Sequence, residues 1–575
     1  MQSGGYRAQA RVRRQDRRRF LRMSAAGAAA MALAACSGSN TNTASRTNSA
    51  GTAAGSPTAG SAPASRATPT VNPATVNRTG IENLRQVSIY NTINPYKELD
   101  AALLWGFTVF DHLWWWRPDT GETVPFLATR IEQPDQLHIV CTMGDAVFQD
   151  KPPVSGRAVK SSDVKASLET AAKQVAMSNA PWWTTVFDHV DTPDDHTATL
   201  VLKMPNAWSF TPTNGAGAGA SSILPQELTS NIDFMDNDVI GSGRFQFVSQ
   251  QNGTNFKLER FPRWRVQGEP YLAGLQYKLI QEQAAADAAF TAQQIDVLTP
   301  NDKLERDQLI QKIGQSNLTS QTGLSHAIWW LETQANGSFA DPRARQAISM
   351  ALNRQEFIQL MYFGDAQISG PIPPDFKTYA LPDDVLKQTW AKEDVAQAKQ
   401  LLSASGFDTS KQYNLKYYTP GDLQAKFAQI VQSQLAKNLG INIQLVSQTL
   451  NTWLSQSLYA GDFDFITYPD IAYEDPASFI EVKYVKSIGG RPNYSHFFND
   501  ELDGLIAQQA TIFDDQQRQA AVINVQKRAW DLGAPFIPTI VPQVTTLYQK
   551  YVKNLPPTAI GSLGAFSGTV YIDKS

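Results

Sequence analysis

The sequence predicts a mixed α/β protein with more than one domain. The chain has 575 residues, and because single domains usually contain about 100–200 residues, several cores are expected. Apolar residues make up 42% of the chain and aromatic residues 10%, which is enough to build large cores and excludes global disorder. Strand-like and helix-like runs alternate along the chain from residue 81 onward.

The predicted elements follow from hydrophobic spacing and from the residues that start and stop helices. Strands are predicted at 86–90, 137–143, 197–204, 245–248, 256–260, 275–279, 328–331, 415–418 and 441–446. Helices are predicted at 162–174, 342–363, 392–405, 422–439, 500–512 and 515–532. Asp341 precedes Pro342, which places an acidic N-cap before a proline at the first helical position. Gly440 is expected to end the helix before it.

Charge and cysteine content exclude several classes of protein. Residues 1–35 hold eight Arg and one acid, Asp16, whereas the rest of the chain carries a net charge of −10. An acidic body argues against nucleic acid or an anionic membrane surface as partner. The two cysteines, Cys36 and Cys141, are too few for a disulfide scaffold or a Cys-rich zinc protein. We expect Cys141 to pack as a small apolar residue.

Residues 1–35 have the pattern of a bacterial export signal. Arg17 and Arg18 are followed by Phe-Leu-Arg, which matches the twin-arginine pattern of a signal peptide. The Ala-rich run that follows is about 11 residues long, whereas a membrane-spanning helix needs about 20. It ends in Leu-Ala-Ala-Cys36, which resembles the lipobox of bacterial lipoproteins. That resemblance implies a lipid on Cys36.

The segment 36–80 is predicted to be a lipidated tether. Of residues 37–80, 39 are Ser, Thr, Ala, Gly, Asn or Pro, and none is aromatic, so the segment cannot bury enough surface to fold. Its expected root-mean-square reach is roughly 35–40 Å. No later run of 18 or more apolar residues occurs. We therefore expect an extracytoplasmic protein that is anchored to the cell membrane through its N-terminal lipid only.

Seven motifs occur in order along residues 85–545, and together they carry a family resemblance. They are NPYKELDAALLWGFTVFDHLWWWRPDTGETVPFLATRIE, LHIVCTMGDAVFQDKPPVSGRAVKSSDVKASLE, GSGRF, IDVL, DPRARQAISMALNRQEF, AKQLLSASGF and QSQLAKNLGINIQL. Their order and spacing resemble the family 5 extracellular solute-binding proteins of ABC importers. That family includes dipeptide, oligopeptide, nickel and some oligosaccharide binders.

The resemblance implies a two-lobed α/β fold of the type II periplasmic-binding-protein class, with a hinge between the lobes and the solute between them. Lobe I is expected at 81–296 and 533–575, with an extra subdomain at about 106–205, and lobe II at 297–532. It also implies a small-molecule solute and ABC permease subunits as partners. The chain has no Walker A motif, so a separate ATPase must supply ATP hydrolysis.

No enzyme motif is found. The chain lacks both a Gly-x-Ser-x-Gly elbow and a His-Glu-x-x-His helix, so a secreted hydrolase is the less supported alternative, and we expect neither catalytic residues nor a cofactor. His189 and His196 lie in DHVDTPDDHT among four Asp. We interpret this segment as a turn between two strands, with a metal site as the alternative that stays open.

Candidate solute-binding residues come from aromatic clusters and from a loop similar to the one that lines the family's cleft. They are Tyr90, Asn91, Trp115, Trp329, Trp330, Tyr468, Asp470, Tyr473 and Asp475. Trp329 and Trp330 alternate on a strand-like run, so one is expected to face the core and the other a surface or cleft.

The loop departs from the family pattern at one position. Dipeptide and oligopeptide binders carry an Asp where this chain has Ala472, and dipeptide binders also carry an Arg that the segment 417–427 lacks. Recognition of a free dipeptide through two ion pairs is therefore not expected. The sequence favours capture of an oligopeptide-type or similar solute, with an oligosaccharide as the alternative.

Overall fold

The computed structural model describes residues 76–97, 106, 108–116, 123–173, 182–209, 222–325, 327–419, 422–469, 476–488, 491–555 and 568–574. Of these, residues 324–509 and 514–543 form one compact unit, the middle unit. Residues 76–323, 510–513 and 544–574 form another, the N-terminal unit. The predictions for Arg17, Arg18, Cys36 and the tether as far as residue 75 lie outside the described residues.

The described residues contain both strands and helices in each unit. The strands are β1 (Ile81–Gln86), β2 (Trp114–Trp116), β3 (Thr123–Pro125), β4 (Ala128–Asp135), β5 (His138–Met143), β6 (Phe187–Asp194), β7 (Thr197–Leu202), β8 (Phe245–Gln251), β9 (Thr254–Arg260), β10 (Gly274–Leu279), β11 (Val297–Leu298), β12 (Leu318–Leu324), β13 (Trp329–Thr333), β14 (Ala366–Ile368), β15 (Gln412–Thr419), β16 (Asn442–Thr449), β17 (Phe465–Pro469), β18 (Ser487–Ile488), β19 (Arg491–Pro492), β20 (Phe536–Pro538), β21 (Ile540–Gln549), β22 (Val552–Lys553) and β23 (Tyr571–Ile572). The helices are α1 (Ser161–Ala171), α2 (Gln226–Thr229), α3 (Gln283–Thr291), α4 (Lys303–Ile313), α5 (Pro342–Met350), α6 (Arg354–Tyr362), α7 (Asp383–Gln388), α8 (Val395–Ala404), α9 (Asp422–Leu439), α10 (Leu450–Thr452), α11 (Pro476–Tyr484), α12 (Asp500–Gln509) and α13 (Asp515–Asp531). None of these helices has the length and apolar composition needed to cross a bilayer.

The N-terminal unit contains two four-stranded sheets. One has the order β1-β10-β9-β8, with β1 parallel to β10, and the other has the order β4-β5-β7-β6 with antiparallel pairs throughout. Side chains of β5 alternate between buried and half-buried, as expected of a sheet with one face on a core. Cys141 of β5 is completely buried, which confirms its prediction as a core residue, and this burial raises the pKa of its thiol to about 12.

The middle unit is built on a five-stranded sheet with the order β16-β15-β17-β13-β20. Strand β15 runs parallel to both of its neighbours, and β13 is antiparallel to β17 and β20. Helices cover both faces: Trp329 stacks on Phe427 of α9 with ring centroids 5.1 Å apart, and Phe536 contacts Tyr484 of α11 at 5.8 Å. Strand β13 is therefore buried on both of its faces.

The predicted helix boundaries are confirmed where a capping residue marks them. The Asp341 carboxylate accepts a hydrogen bond from the Arg343 backbone N–H, and Gly440 has a left-handed φ of 70° after α9, so both predicted ends are confirmed. The single helix predicted at 342–363 is wrong. It is two helices, because the Asn353 side chain caps the second by accepting from the N–H of Glu356.

The first predicted strand is also misplaced. The strand covers Ile81–Gln86 rather than 86–90, and it alternates between buried and accessible side chains. Glu82 occupies a buried position in this alternation. A charged residue therefore interrupts the apolar pattern from which a strand is predicted.

The folded body begins before residue 81. The backbone carbonyl of Arg78 accepts a hydrogen bond from the Arg260 guanidinium at 2.7 Å, and the Arg78 guanidinium lies 5.1 Å from the ring centroid of Tyr271. The Gly80 carbonyl accepts from the N–H of Ala273 at 2.8 Å. The prediction that the tether extends to residue 80 is therefore wrong for its last residues, because three polar contacts fix them to the unit.

Two segments group differently from the lobes implied by the family resemblance. Residues 297–323 belong to the N-terminal unit, because Leu298, Leu309 and Leu318 pack with Phe290 and Leu547. Residues 533–543 belong to the middle unit, where β20 pairs with β13.

Candidate functional site

The predicted solute-binding loop connects two elements of the middle unit. Strand β17 ends at Pro469, and helix α11 begins at Pro476. The connecting residues 470–475, which include the candidates Asp470, Tyr473 and Asp475, lie outside the described residues. The structure does describe both flanks of the loop, and a polar network joins them.

Tyr468, next to the end of β17, is at the centre of this network. Its hydroxyl donates to Oε2 of Glu332 at 2.9 Å and accepts from Nζ of Lys483 on α11 at 2.7 Å. The other carboxylate oxygen of Glu332 accepts a hydrogen bond from the Ser495 hydroxyl. The Lys483 ammonium also lies 5.4 Å from the ring centroid of Trp330. We name Glu332, Tyr468, Lys483 and Ser495 the tyrosine relay.

The tyrosine relay is a connected set of charged and polar groups inside a core. Glu332 is completely buried and Lys483 is 5% exposed. Buried charges are costly unless hydrogen bonds and opposite charges satisfy them, and here one hydroxyl joins the two. The relay thereby holds together the strand before the loop and the helix after it.

Sequence reasoning missed three members of the relay. Glu332 directly follows an apolar run, and Lys483 lies four residues after Phe479 and so shares its buried helix face. A charged residue at a core position of a strand, together with one of opposite charge at a core position of a helix, is the sequence signal that could have predicted this buried charged network. Ser495 gave no such signal.

The structure separates the two neighbouring tryptophans but exposes neither. Trp329 is 2% exposed, stacks on Phe427 and donates its Nε1–H to the Tyr362 hydroxyl at 2.8 Å. Trp330 is completely buried on the opposite face, beside Lys483. The prediction that one of the two faces a surface or cleft is wrong, because helices cover both faces of β13.

Tyr90 and Asn91 lie in the N-terminal unit, after β1. The Tyr90 backbone N–H donates to the carbonyl of Gly253 at 3.0 Å, and its ring is 5.2 Å from that of Phe256. Gly253 has a φ of 73°, and a Cβ at this position would lie 1.9 Å from the Tyr90 carbonyl oxygen, so only glycine permits the approach. Asn91 is exposed.

The remaining candidates lie on β2 and on the β6–β7 connection. Trp115 belongs to β2 and is opposite Val124 of β3. DHVDTPDDHT forms β6 from its second residue onward, a turn at residues 195–196 and the first residue of β7, which confirms the predicted turn. The His196 backbone N–H, which donates to Asp194, holds the pKa of that carboxyl below its usual value. In the described part of the chain, no three His, Cys, Asp or Glu side chains are grouped so that they could bind a metal.

Comparison with known families identifies the chain. The middle-region model of the bacterial extracellular solute-binding proteins, family 5, matches residues 122–489, which is more than half of the sequence. This chain belongs to family 5. The resemblance stated from the motifs is therefore confirmed, and membership makes the chain a solute-binding protein.

Individual family 5 relatives are distant but long matches. The chain is 25% identical to the periplasmic murein peptide-binding protein MppA of Escherichia coli over 481 residues, which cover 79% of this chain and 86% of the relative. It is 26% identical to the oligopeptide-binding protein AppA of Bacillus subtilis over 329 residues, 52% of this chain and 57% of the relative.

A solved structure supports the fold class of this family 5 protein. The periplasmic binding protein DppA of Helicobacter pylori, in complex with the peptide STSA, superposes with a TM-score of 0.71 at 21% identity. The match covers 87% of this chain and 99% of the other. The predicted two-lobed α/β fold of periplasmic binding proteins is thus confirmed.

Proposed function

We propose that this protein is the extracytoplasmic substrate-binding component of an ABC importer and that its solute is a peptide. The observation that carries the proposal is the long match to the murein peptide-binding protein, which covers 79% of this chain. The similarity to an oligopeptide-binding protein and to a binding protein in complex with a tetrapeptide supports the same class of solute. A permease with a separate ATPase would take the peptide onward.

Six candidate residues are proposed to contact the peptide: Asp470, Tyr473, Asp475, Tyr90, Asn91 and Trp115. Trp329 and Trp330 are not proposed again, because their rings are core residues. Tyr468 is not proposed either, because Glu332 and Lys483 already engage its hydroxyl. The tyrosine relay would instead fix the two flanks of the segment that carries three of the contacts.

Binding is proposed to act by population shift. A solute that contacts both lobes binds the closed arrangement better than the open one, and so increases the closed population by its differential affinity. No ATP is needed for this step.

A thermal-unfolding screen tests the class of solute. The purified chain is heated with the tetrapeptide Ser-Thr-Ser-Ala and, separately, with the neutral sugar maltotriose. A ligand at 100 times its Kd stabilises the native protein by about 2.7 kcal/mol, so a saturable rise in midpoint with the peptide alone is expected. A rise with maltotriose and none with the peptide would replace the peptide proposal with an oligosaccharide.

Substitution of a loop acid tests how the peptide amino group is recognised. Because Ala472 supplies no carboxylate, Asp470 is proposed to pair with the α-ammonium group. Asp470→Asn should weaken binding of Ser-Thr-Ser-Ala about tenfold or more, which corresponds to about 1.4 kcal/mol, but leave binding of its N-acetylated form unchanged. Asp500→Asn, at a highly exposed acid of the same unit, is the matched control. Equal effects on both peptides would mean that a residue other than Asp470 binds the α-ammonium group.

Export and anchoring are proposed to use the N-terminal signals. Replacing Arg17 and Arg18 by Lys should block export while expression continues, and Cys36→Ser should release the exported protein from the membrane fraction. Export that survives replacement of all the nearby arginines would exclude the twin-arginine route. A Cys36→Ser protein that stays membrane-bound would place the anchor elsewhere.

A further inference from the structure

Glu82 is a buried acid in the N-terminal unit, far in sequence from the candidate loop. It lies on β1, where Glu82, Leu84 and Gln86 share the buried face, and its side chain is 0% exposed. Neither of its carboxylate oxygens has a hydrogen-bond partner among the described residues. Glu82 also makes no ion pair there. An ionised carboxylate in such a place would lose its hydration without gaining a hydrogen bond or an opposite charge.

The charge of Asp296 makes ionisation of Glu82 still less favourable. Asp296 is completely buried, and its carboxylate accepts hydrogen bonds from the Asn83 backbone N–H at 2.6 Å and from the Tyr551 hydroxyl at 2.6 Å. The described hydrogen bonds of this carboxylate all use it as acceptor, and its negative charge opposes a second negative charge on Glu82. Two buried acids of one unit thus have different surroundings: donors bond to the Asp296 carboxylate, whereas no donor in the described part of the chain bonds to that of Glu82.

The other polar groups near Glu82 do not supply a cation. Tyr277 on the adjacent strand β10 is buried, and its hydroxyl has no partner among the described residues; Tyr277 in turn interacts with Tyr90. The other charged side chains on or beside the elements packed against β1 include Arg85, Lys257, Glu259, Arg260, Lys278, Lys553, Asp573 and Lys574. The Arg260 guanidinium donates to the backbone carbonyls of Arg78, Tyr271 and Leu272. Arg85, the cation on β1 itself, donates to the Ile280 carbonyl, and Lys278 of β10 donates to the Gln294 carbonyl. Burial first, and the charge of Asp296 second, raise the pKa of Glu82 to about 8.

We propose that Glu82 is a proton-binding site: its carboxyl is held as the neutral acid in the folded protein at neutral pH, and because the same carboxyl ionises freely in the unfolded chain, rising pH weakens the packing of β1 in the N-terminal unit. An unfolded glutamate releases its proton near pH 4.5, whereas the folded one retains it to higher pH. The contribution of Glu82 to stability is therefore complete below about pH 4.5. It is lost as the pH rises to about 8, and the unfolding equilibrium constant grows about tenfold per pH unit in that window.

Infrared spectroscopy tests the protonation state directly. A neutral carboxylic acid has a carbonyl stretching band that ionised carboxylates lack. Glu305 is a second source of this band, because burial raises its pKa to about 7, so all spectra are recorded at pH 7 on the full chain carrying Glu305→Gln. The difference spectrum between that protein and the same protein with Glu82→Gln should contain one lost acid band. Glu259→Gln, at a half-exposed acid paired with Lys257 in the same sheet, should remove none.

A flat difference spectrum in the acid region would overturn the proposal, because it would mean that Glu82 is ionised. If the Glu82→Gln protein does not fold, Glu82→Leu, which places an apolar side chain at the same core position, gives the same comparison. Hydrogen exchange of β1 and β10 amides supplies the second readout. Opening of these strands should increase about tenfold per unit between pH 5 and 8 in the Glu305→Gln protein, and this increase, after correction for intrinsic exchange, should disappear with Glu82→Leu. An identical pH dependence in both proteins would also overturn the proposal.

Discussion

Glu332 in the middle unit and Glu82 in the N-terminal unit are both completely buried acids on strands, but their surroundings differ. Glu332 accepts hydrogen bonds from Tyr468 and Ser495, and Lys483 bonds to the same tyrosine hydroxyl. Glu82 has no partner among the described residues and lies beside another acid. The comparison shows that burial alone does not determine how an acid behaves: donors and a cation keep one in a fixed network, and their absence leaves the other to bind a proton.

The largest expected effect on stability comes from removing the cation of the tyrosine relay. Lys483→Met should lower the free energy of unfolding of the middle unit by about 3–5 kcal/mol, because it removes one side of a buried charged network. Because the chain has two units, hydrogen exchange of β13 and β17 amides should accompany denaturant unfolding, so that the loss is assigned to the correct unit.

Lys486→Met is the control for this substitution. Lys486 is half-exposed and pairs with Asp500 at the surface, so its removal should lower the free energy of unfolding far less than removal of Lys483 does. Equal effects of the two substitutions would mean that the relay contributes no more than a surface ion pair.

The corresponding change at Glu82 should have the opposite sign. Glu82→Leu should raise the free energy of unfolding of the N-terminal unit by about 1–3 kcal/mol at pH 7, because it removes an unsatisfied polar group from a core without creating a large cavity. The measurement is urea unfolding monitored through exchange of β1 and β10. A loss of stability in this variant would mean that Glu82 has a partner that stabilises it, and the contrast with Glu332 would disappear.

The smallest expected effect is the difference in stability between losing a hydrogen bond to charged groups and losing one to a neutral group, both within the middle unit. Tyr468→Phe and Tyr413→Phe both remove one buried phenol hydroxyl from the same sheet, but the Tyr413 hydroxyl donates to a neutral group, the Asp408 backbone carbonyl, at 2.9 Å. Bonds to charged groups contribute about 1.5–3 kcal/mol and neutral ones about 0.5–1.5 kcal/mol, so Tyr468→Phe should be more destabilising by about 1 kcal/mol. Equal unfolding free energies for the two variants would indicate that Glu332 and Lys483 are not both charged.

The sequence by itself determined the elements whose ends are set locally. Helix α9 occupies residues 422–439 as predicted, Asp341 caps α5 as predicted, and the ordered motifs identified the family. Caps, helical spacing and glycine turns act over a few residues, so they can be recognised without knowing the neighbours in space.

Tertiary structure alone decided which side chains are buried and what they meet there. Trp330 is a core residue rather than a cleft residue because α11 covers its face of β13, and Lys483 becomes a partner of Glu332 only because β17 brings Tyr468 between them. Glu82 falls into a core because β1 pairs with β10, almost 200 residues later in the chain. A strand's periodicity defines its two faces but not what lies against each face, and that packing sets the cost of a buried charge.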